Sequence, residues 1–155
     1  MEWKHEYAIG IEEIDDQHLR LTEGISRVEQ AVDQAEGWSA VHGALGRLAS
    51  LAVTHFAVEE SLMRIHDFPQ LEDHADQHKR FYADLIALQE RSLTTDLTPK
   101  RVEFLHRWWD AHFQEFDKPY ALHVLKRKTL GPLQPEAPAR PAGAKPAGSG
   151  HHDRR

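Results

Sequence analysis

The sequence predicts an all-α fold, an up-down-up-down four-helix bundle. Three observations predict it: four stretches carry core-type residues at helical spacing, short breaks separate them, and histidines interrupt every apolar face at a matching depth. At 155 residues and 40% hydrophobic content, the chain suffices for one domain with a sizeable core. That domain is expected over 1–130, with 1–13 as an N-terminal arm carrying Trp3, Tyr7 and Ile9 without helical period. Residues 131–155 are rich in Pro, Gly and Ala and are expected to form a disordered tail.

The first helix follows Ile14, His18, Leu21, Ile25, Val28 and Val32, an alternating four/three spacing that marks one face, and Gly37 is expected to end it. The second follows Leu45, Leu48, Ala52, His55, Glu59 and Leu62 and stops before Phe68-Pro69, because a residue preceding proline disfavours helical geometry. Pro69 suits the first turn of the third helix, which continues through Leu71, His74, His78, Phe81, Leu85 and Leu88 to about Ser92. Thr98 and Pro99 fit the N-cap and first position of the fourth. Val102, Leu105, Trp109, His112 and Phe116 form its stripe, Pro119 is expected to close it, and 119–128 could add one short helix.

Composition excludes much chemistry. With no cysteine there is no disulfide, thiolate zinc site, iron-sulfur cluster or cysteine nucleophile, so a metal must be held by nitrogen and oxygen. A formal charge of -6 argues against nucleic acid or an anionic membrane surface as partner. No apolar run approaches the roughly 20 residues of a membrane span, and the N-terminus lacks signal-peptide character, so the chain reads as cytoplasmic.

Twelve histidines are the unusual feature. A single histidine on an apolar face is ordinarily a core residue satisfied by one hydrogen bond. Here His18, His55 with Glu59, His74 with His78, and His112 interrupt all four faces, and each unpaired burial costs a few kcal/mol. In an up-down-up-down bundle the starts of helices one and three lie level with the finishes of two and four. His18, His74 and His78 lie near starts and His55, Glu59 and His112 near finishes, so all six converge on one level, as a metal site requires. Residues four apart sit about 6 Å apart along the axis on one side, so His55/Glu59 and His74/His78 can each share a site. His5, His42, His66, His106 and His123 lie off these stripes and are expected on the solvated surface, while His151 and His152 fall in the tail.

These residues resemble the bacterial hemerythrins, over roughly residues 3–120. Trp3 and Tyr7 are similar to the family's aromatic arm, Ile14-Asp15-Asp16-Gln17-His18 to its first-helix signature, and His55-Phe56-Ala57-Val58-Glu59-Glu60 to its second. Phe68-Pro69 precedes His74-x-x-x-His78, and Trp108-x-x-x-His112-x-x-x-x-Asp117 resembles the closing segment. The resemblance implies two iron ions bridged by oxo or hydroxo, with His74, His78 and His112 on one iron, His18 and His55 on the other, and Glu59 and Asp117 bridging. Periodicity alone favours Glu115 over Asp117, since five residues turn an ideal helix by about 140° beyond a full turn; a π-type widening ahead of Pro119 would bring Asp117 inward.

With an oxygen bridge this ligand set fills every octahedral position but one, on the iron of His18 and His55. The implied function is reversible binding of molecular oxygen, as carrier or buffer rather than enzyme, with Trp108, Trp109, Phe113 and Phe56 lining the oxygen pocket and an oxygen-consuming protein as recipient. Histidine-rich ligation favours reversibility over the oxidation chemistry of carboxylate-rich centres. The other readings are an oxygen or redox sensor, an enzyme acting on peroxide or nitric oxide, and an iron-storage or partner-binding module. Where the family usually has Trp-Leu-x-x-His-Ile, this chain has Trp108-Trp109-x-x-His112-Phe113. Trp109 either repacks the core or narrows the pocket. If it narrows the pocket, Trp109→Leu changes the autoxidation rate; an unchanged rate would leave only repacking.

Overall fold

The computed structural model describes residues 1–130, and the expected tail, with His151 and His152, lies outside them. A single 3-10 turn, His5–Tyr7, sits in the arm. Four helices follow: α1 (Glu12–Asp33), α2 (Trp38–Ile65), α3 (Leu71–Arg91) and α4 (Pro99–His112). A π-helical turn, Phe113–Asp117, joins α4 to α5 (Lys118–Leu130). Helix α1 packs on α2 and α4, and α3 on α2 and α4, which is the ring of neighbours of an up-down-up-down bundle. No helix among the described residues is long and apolar enough to cross a membrane.

The helix ends have identifiable causes. Helix α1 stops at Asp33, short of Gly37, because Ala35 turns left-handed (φ 49°) and Glu36 N–H donates back to Ala31 O at 3.0 Å. This is a Schellman closure, and Gly37 (φ 91°) instead opens α2. The same motif closes α2: Asp67 takes φ 52° and Phe68 N–H donates to Met63 O at 2.9 Å. Pro69 then lies in a turn just ahead of α3, where Leu71 N–H donates to Phe68 O at 3.3 Å.

Pro119 does not close the fourth helix. Through the π turn Lys118 N–H donates to Phe113 O, five residues back. A widened turn already leaves one carbonyl without an amide, so the missing N–H of Pro119 costs little further and the rod continues into α5. The extra residue per turn also rotates the face: Phe113 and Asp117 are buried, while Phe116 is only half-buried. At the end of the second stripe Met63 is buried and Leu62 half-buried.

Away from the histidines and carboxylates the core is apolar along all four stripes, with Ile14, Leu21, Ile25, Leu45, Leu48, Leu85 and Leu105 at 0–2% exposure. Among the histidines expected on the surface His5 is exposed, but His42, His66, His106 and His123 are half-buried. His42 Nδ1 lies 3.1 Å from Gln89 O and from Ser92 Oγ, and His123 Nε2 lies 2.7 Å from His66 O. An imidazole is short enough to bridge neighbouring segments from the rim of a bundle, so these rings tie elements together.

Candidate metal centre

All six stripe residues converge as the topology requires, and Asp117 joins them. His18, His55, Glu59, His74, His78, His112 and Asp117 are each 0–2% exposed. Their ligand atoms form two groups: Glu59 with His74, His78 and His112, and His18 with His55, Glu59 and Asp117. Glu59 belongs to both. Its Oε2 lies 3.3 Å from His55 Nε2, 3.3 Å from His78 Nε2 and 3.6 Å from His74 Nε2. Asp117 also spans them, with Oδ1 at 3.1 Å from His112 Nε2 and 3.2 Å from His74 Nε2, and Oδ2 at 3.6 Å from His18 Nε2.

The π turn buries Asp117 and leaves Glu115 exposed. Asp117→Ala is therefore expected to lower the iron bound per chain, and Glu115→Ala to leave it unchanged, by colorimetric iron assay. The reverse pattern would show that the helix unwinds to an α register on loading.

The chemistry of the donor set fits a pair of metal ions. His74 and His78 Nε2 each lie 3.1 Å from His112 Nε2. Adjacent positions around an octahedral ion with bonds of about 2.1 Å lie about 3.0 Å apart, so both of these separations match neighbouring positions on one ion. Both oxygens of Glu59, both oxygens of Asp117 and the Nε2 atoms of His18 and His55 are buried without a hydrogen-bond partner. Six unsatisfied lone-pair atoms facing one another cost too much to be structural, and a cation is what satisfies them all.

Electrostatics agree. Burial, then the nearby Asp117 carboxylate, push the Glu59 carboxyl up to about 8. Burial would likewise raise Asp117, but His112 and His74 hold it well below the usual carboxylate range. Burial alone would lower His74, yet the Asp117 and Glu59 carboxylates beside it lift it to about 9. Burial and the neighbouring rings lower His55 and His78, and burial lowers His112.

Second partners orient the rings. His55 Nδ1 lies 3.1 Å from Gln17 Oε1, His78 Nδ1 3.3 Å from Glu60 Oε1, and His18 Nδ1 2.7 Å from the Tyr7 carbonyl. Each Nδ1–H donating outward leaves Nε2 as the lone-pair donor inward. Tyr7 is in turn held by Asp110, which its hydroxyl contacts and which Lys4 Nζ (3.3 Å) and His106 Nε2 (3.1 Å) also reach. The arm is therefore part of the site. Gln17 and Glu60 stood inside the motifs quoted above; the Tyr7 carbonyl and Asp110 carried no such signal.

The four expected pocket residues divide between the two sides. Trp109 and Phe113 pack against His18, with ring centroids at 5.2 and 5.7 Å, and Trp109 lies 6.1 Å from His55. Trp108 stacks between Phe81 and His112, at 3.9 and 4.3 Å, and Phe56 stacks on His78 at 3.8 Å. Those two brace the three-histidine side. A cleft of 290 Å³ lined by residues including Asp73, His74, Glu115 and Phe116 approaches that same side from solvent.

Fold and site together define a histidine-rich dinuclear metal protein with its centre inside a four-helix bundle. Residues 9–121 match the family described as the Hemerythrin HHE cation binding domain. The chain is 28% identical over 123 residues to the bacteriohemerythrin of Stenotrophomonas maltophilia (strain R551-3), covering 79% of this chain and 80% of that protein. It is 28% identical over 119 residues to the myohemerythrin of Riftia pachyptila, covering 76% and 88%. A solved hemerythrin carrying a leucine-to-tyrosine substitution superposes with a TM-score of 0.73 at 20% identity, over 80% of this chain and 96% of that one, a likeness of fold. The chain belongs to the hemerythrin family, and membership implies a non-haem di-iron centre that binds oxygen.

Proposed function

We propose that this protein binds molecular oxygen reversibly, as a carrier or buffer. His74, His78 and His112 would hold one iron, His18 and His55 the other, and Glu59 and Asp117 would be shared between them. The observation that supports the reading is the asymmetry of the two groups, three histidines against two; with both carboxylates bridging, it would leave the open coordination position beside His18 and His55. A pair of ferrous ions supplies the reversible two-electron chemistry that oxygen binding requires.

The chain's own residues supply the rest. Trp109 and Phe113, at 1% and 0% exposure, shield the two-histidine side from water, while the solvent cleft reaches the side that three histidines already fill. That shielding would keep water and protons from a ligand bound on this side. The Tyr7 carbonyl fixes the His18 ring and Gln17 fixes His55, so both ligands of the open iron are preset in the tautomer that binds metal.

Admission of oxygen to the anaerobically reduced protein is expected to raise a visible charge-transfer band that disappears under argon and returns through repeated cycles. A band that forms once and never reverses overturns the carrier reading. Catalytic consumption of hydrogen peroxide by the oxidised protein would favour an enzyme instead.

A further inference from the structure

The indole Nε1 of Trp109 is buried and has no hydrogen-bond partner. Among the other unpartnered buried atoms this one is chemically distinct. A ring nitrogen of histidine may carry a lone pair or a proton, and a tyrosine hydroxyl may donate or accept, but an indole N–H can only donate and cannot ligate a metal. Its missing partner must be an acceptor. Leaving such a donor dry costs about as much as a lost hydrogen bond, so a residue 1% exposed in a packed core needs a reason to present one.

The ring's surroundings restrict where that acceptor sits. Trp109 lies edge-on to His18 (5.2 Å, 88°), 6.1 Å from His55 and 6.3 Å from Tyr7. The Tyr7 hydroxyl is engaged with Asp110 and its carbonyl with His18 Nδ1. The two nearest of these rings, His18 and His55, belong to the two-histidine group of ligand atoms, which sets the indole beside that group. The position that an iron held by His18 and His55 would leave open lies beside the same two rings.

We propose that Trp109 Nε1–H donates a hydrogen bond to the small ligand bound at that open position, which makes Trp109 a ligand-stabilising residue rather than only a bulky wall. The proposal rests on the di-iron reading above. The ligand class it favours is a short molecule whose second acceptor atom carries negative charge when bound, such as oxygen after reduction by the centre or the azide anion. A donor fixed in a water-free pocket acts on such a ligand without reorganising, which is why it is worth more there than in solvent.

Azide is the probe. Its affinity for the iron-loaded, oxidised protein is measured beside Trp109→Phe, which keeps an aromatic ring and removes the donor, with iron per chain counted in each preparation. Loss of one hydrogen bond to a charged acceptor corresponds to a weakening of roughly tenfold or more. Ultraviolet resonance Raman of the unaltered protein, with and without azide, reads the indole N–H directly: one of the four tryptophans is expected to change from a free to a hydrogen-bonded N–H, and the change is expected to be absent from Trp109→Phe. Should that variant fail to fold, the Raman change in the parent alone decides. Equal azide affinity in both proteins at full iron loading, or weaker affinity with no indole change in the parent, overturns the proposal and leaves the di-iron reading standing. An iron-loaded parent that takes up no azide overturns both the proposal and the open position.

Discussion

Glu59→Gln is expected to reduce the iron bound per chain from two to one or fewer. Glu59 is the side chain shared by both groups of ligand atoms, with its Oε2 within 3.6 Å of three imidazoles from the two sides. Glutamine keeps its volume and so preserves the packing of a residue with 0% exposure, but it offers one weak carbonyl donor in place of an anionic bridge. Two dications a few ångström apart repel strongly in a medium of low dielectric, and an anion between them is what makes double occupancy tolerable. Asp76→Asn is the control: that carboxylate is on the surface, paired with Lys79 at 2.9 Å, and its loss is expected to leave two irons bound. Measured by metal analysis of freshly reconstituted protein, two irons in Glu59→Gln would mean that Asp117 alone suffices as a bridge.

Removal of the metal is expected to lower the thermal midpoint by roughly 8–16 °C. A ligand that binds only the folded chain stabilises it by about 4 kcal/mol when present at a thousand times its dissociation constant. For a chain of this size each kcal/mol moves the midpoint by about 2–4 °C. The folded state without metal retains two buried carboxylates and several buried imidazoles with unsatisfied atoms, drawn from α1, α2, α3, α4 and the π turn. Metal bonds convert that burden into cross-links between all four helices. Calorimetry of loaded and chelator-treated protein checks it. Equal midpoints would mean that the polar cluster is satisfied without an ion.

The helices and six of the seven site residues were legible from spacing because burial repeats every three to four residues along a helix, and a polar residue in that repeat is conspicuous. Asp117 was different. Its position contradicts the α period, and only the resemblance pointed to it; the π turn that carries it is a backbone event of five residues, with no composition of its own. The same turn explains why Pro119 proved to be a misleading stop signal. The Tyr7 carbonyl was illegible for another reason: every residue has one, so a backbone acceptor leaves no trace in side-chain identity. Trp108 and Phe56 were grouped with Trp109 and Phe113 because aromatic residues near a ligand motif look alike in sequence. Only their stacking on His112 and His78 separates the rings that brace one metal from those that enclose the other.

The most direct measurement is anomalous scattering at the iron edge from crystals of the iron-loaded protein. Two peaks about 3.5 Å apart are expected, one bounded by His74, His78 and His112, the other by His18 and His55, with Glu59 and Asp117 between them. A single peak, or a second iron held by residues outside these seven, would contradict a dinuclear centre with its open position on the two-histidine side.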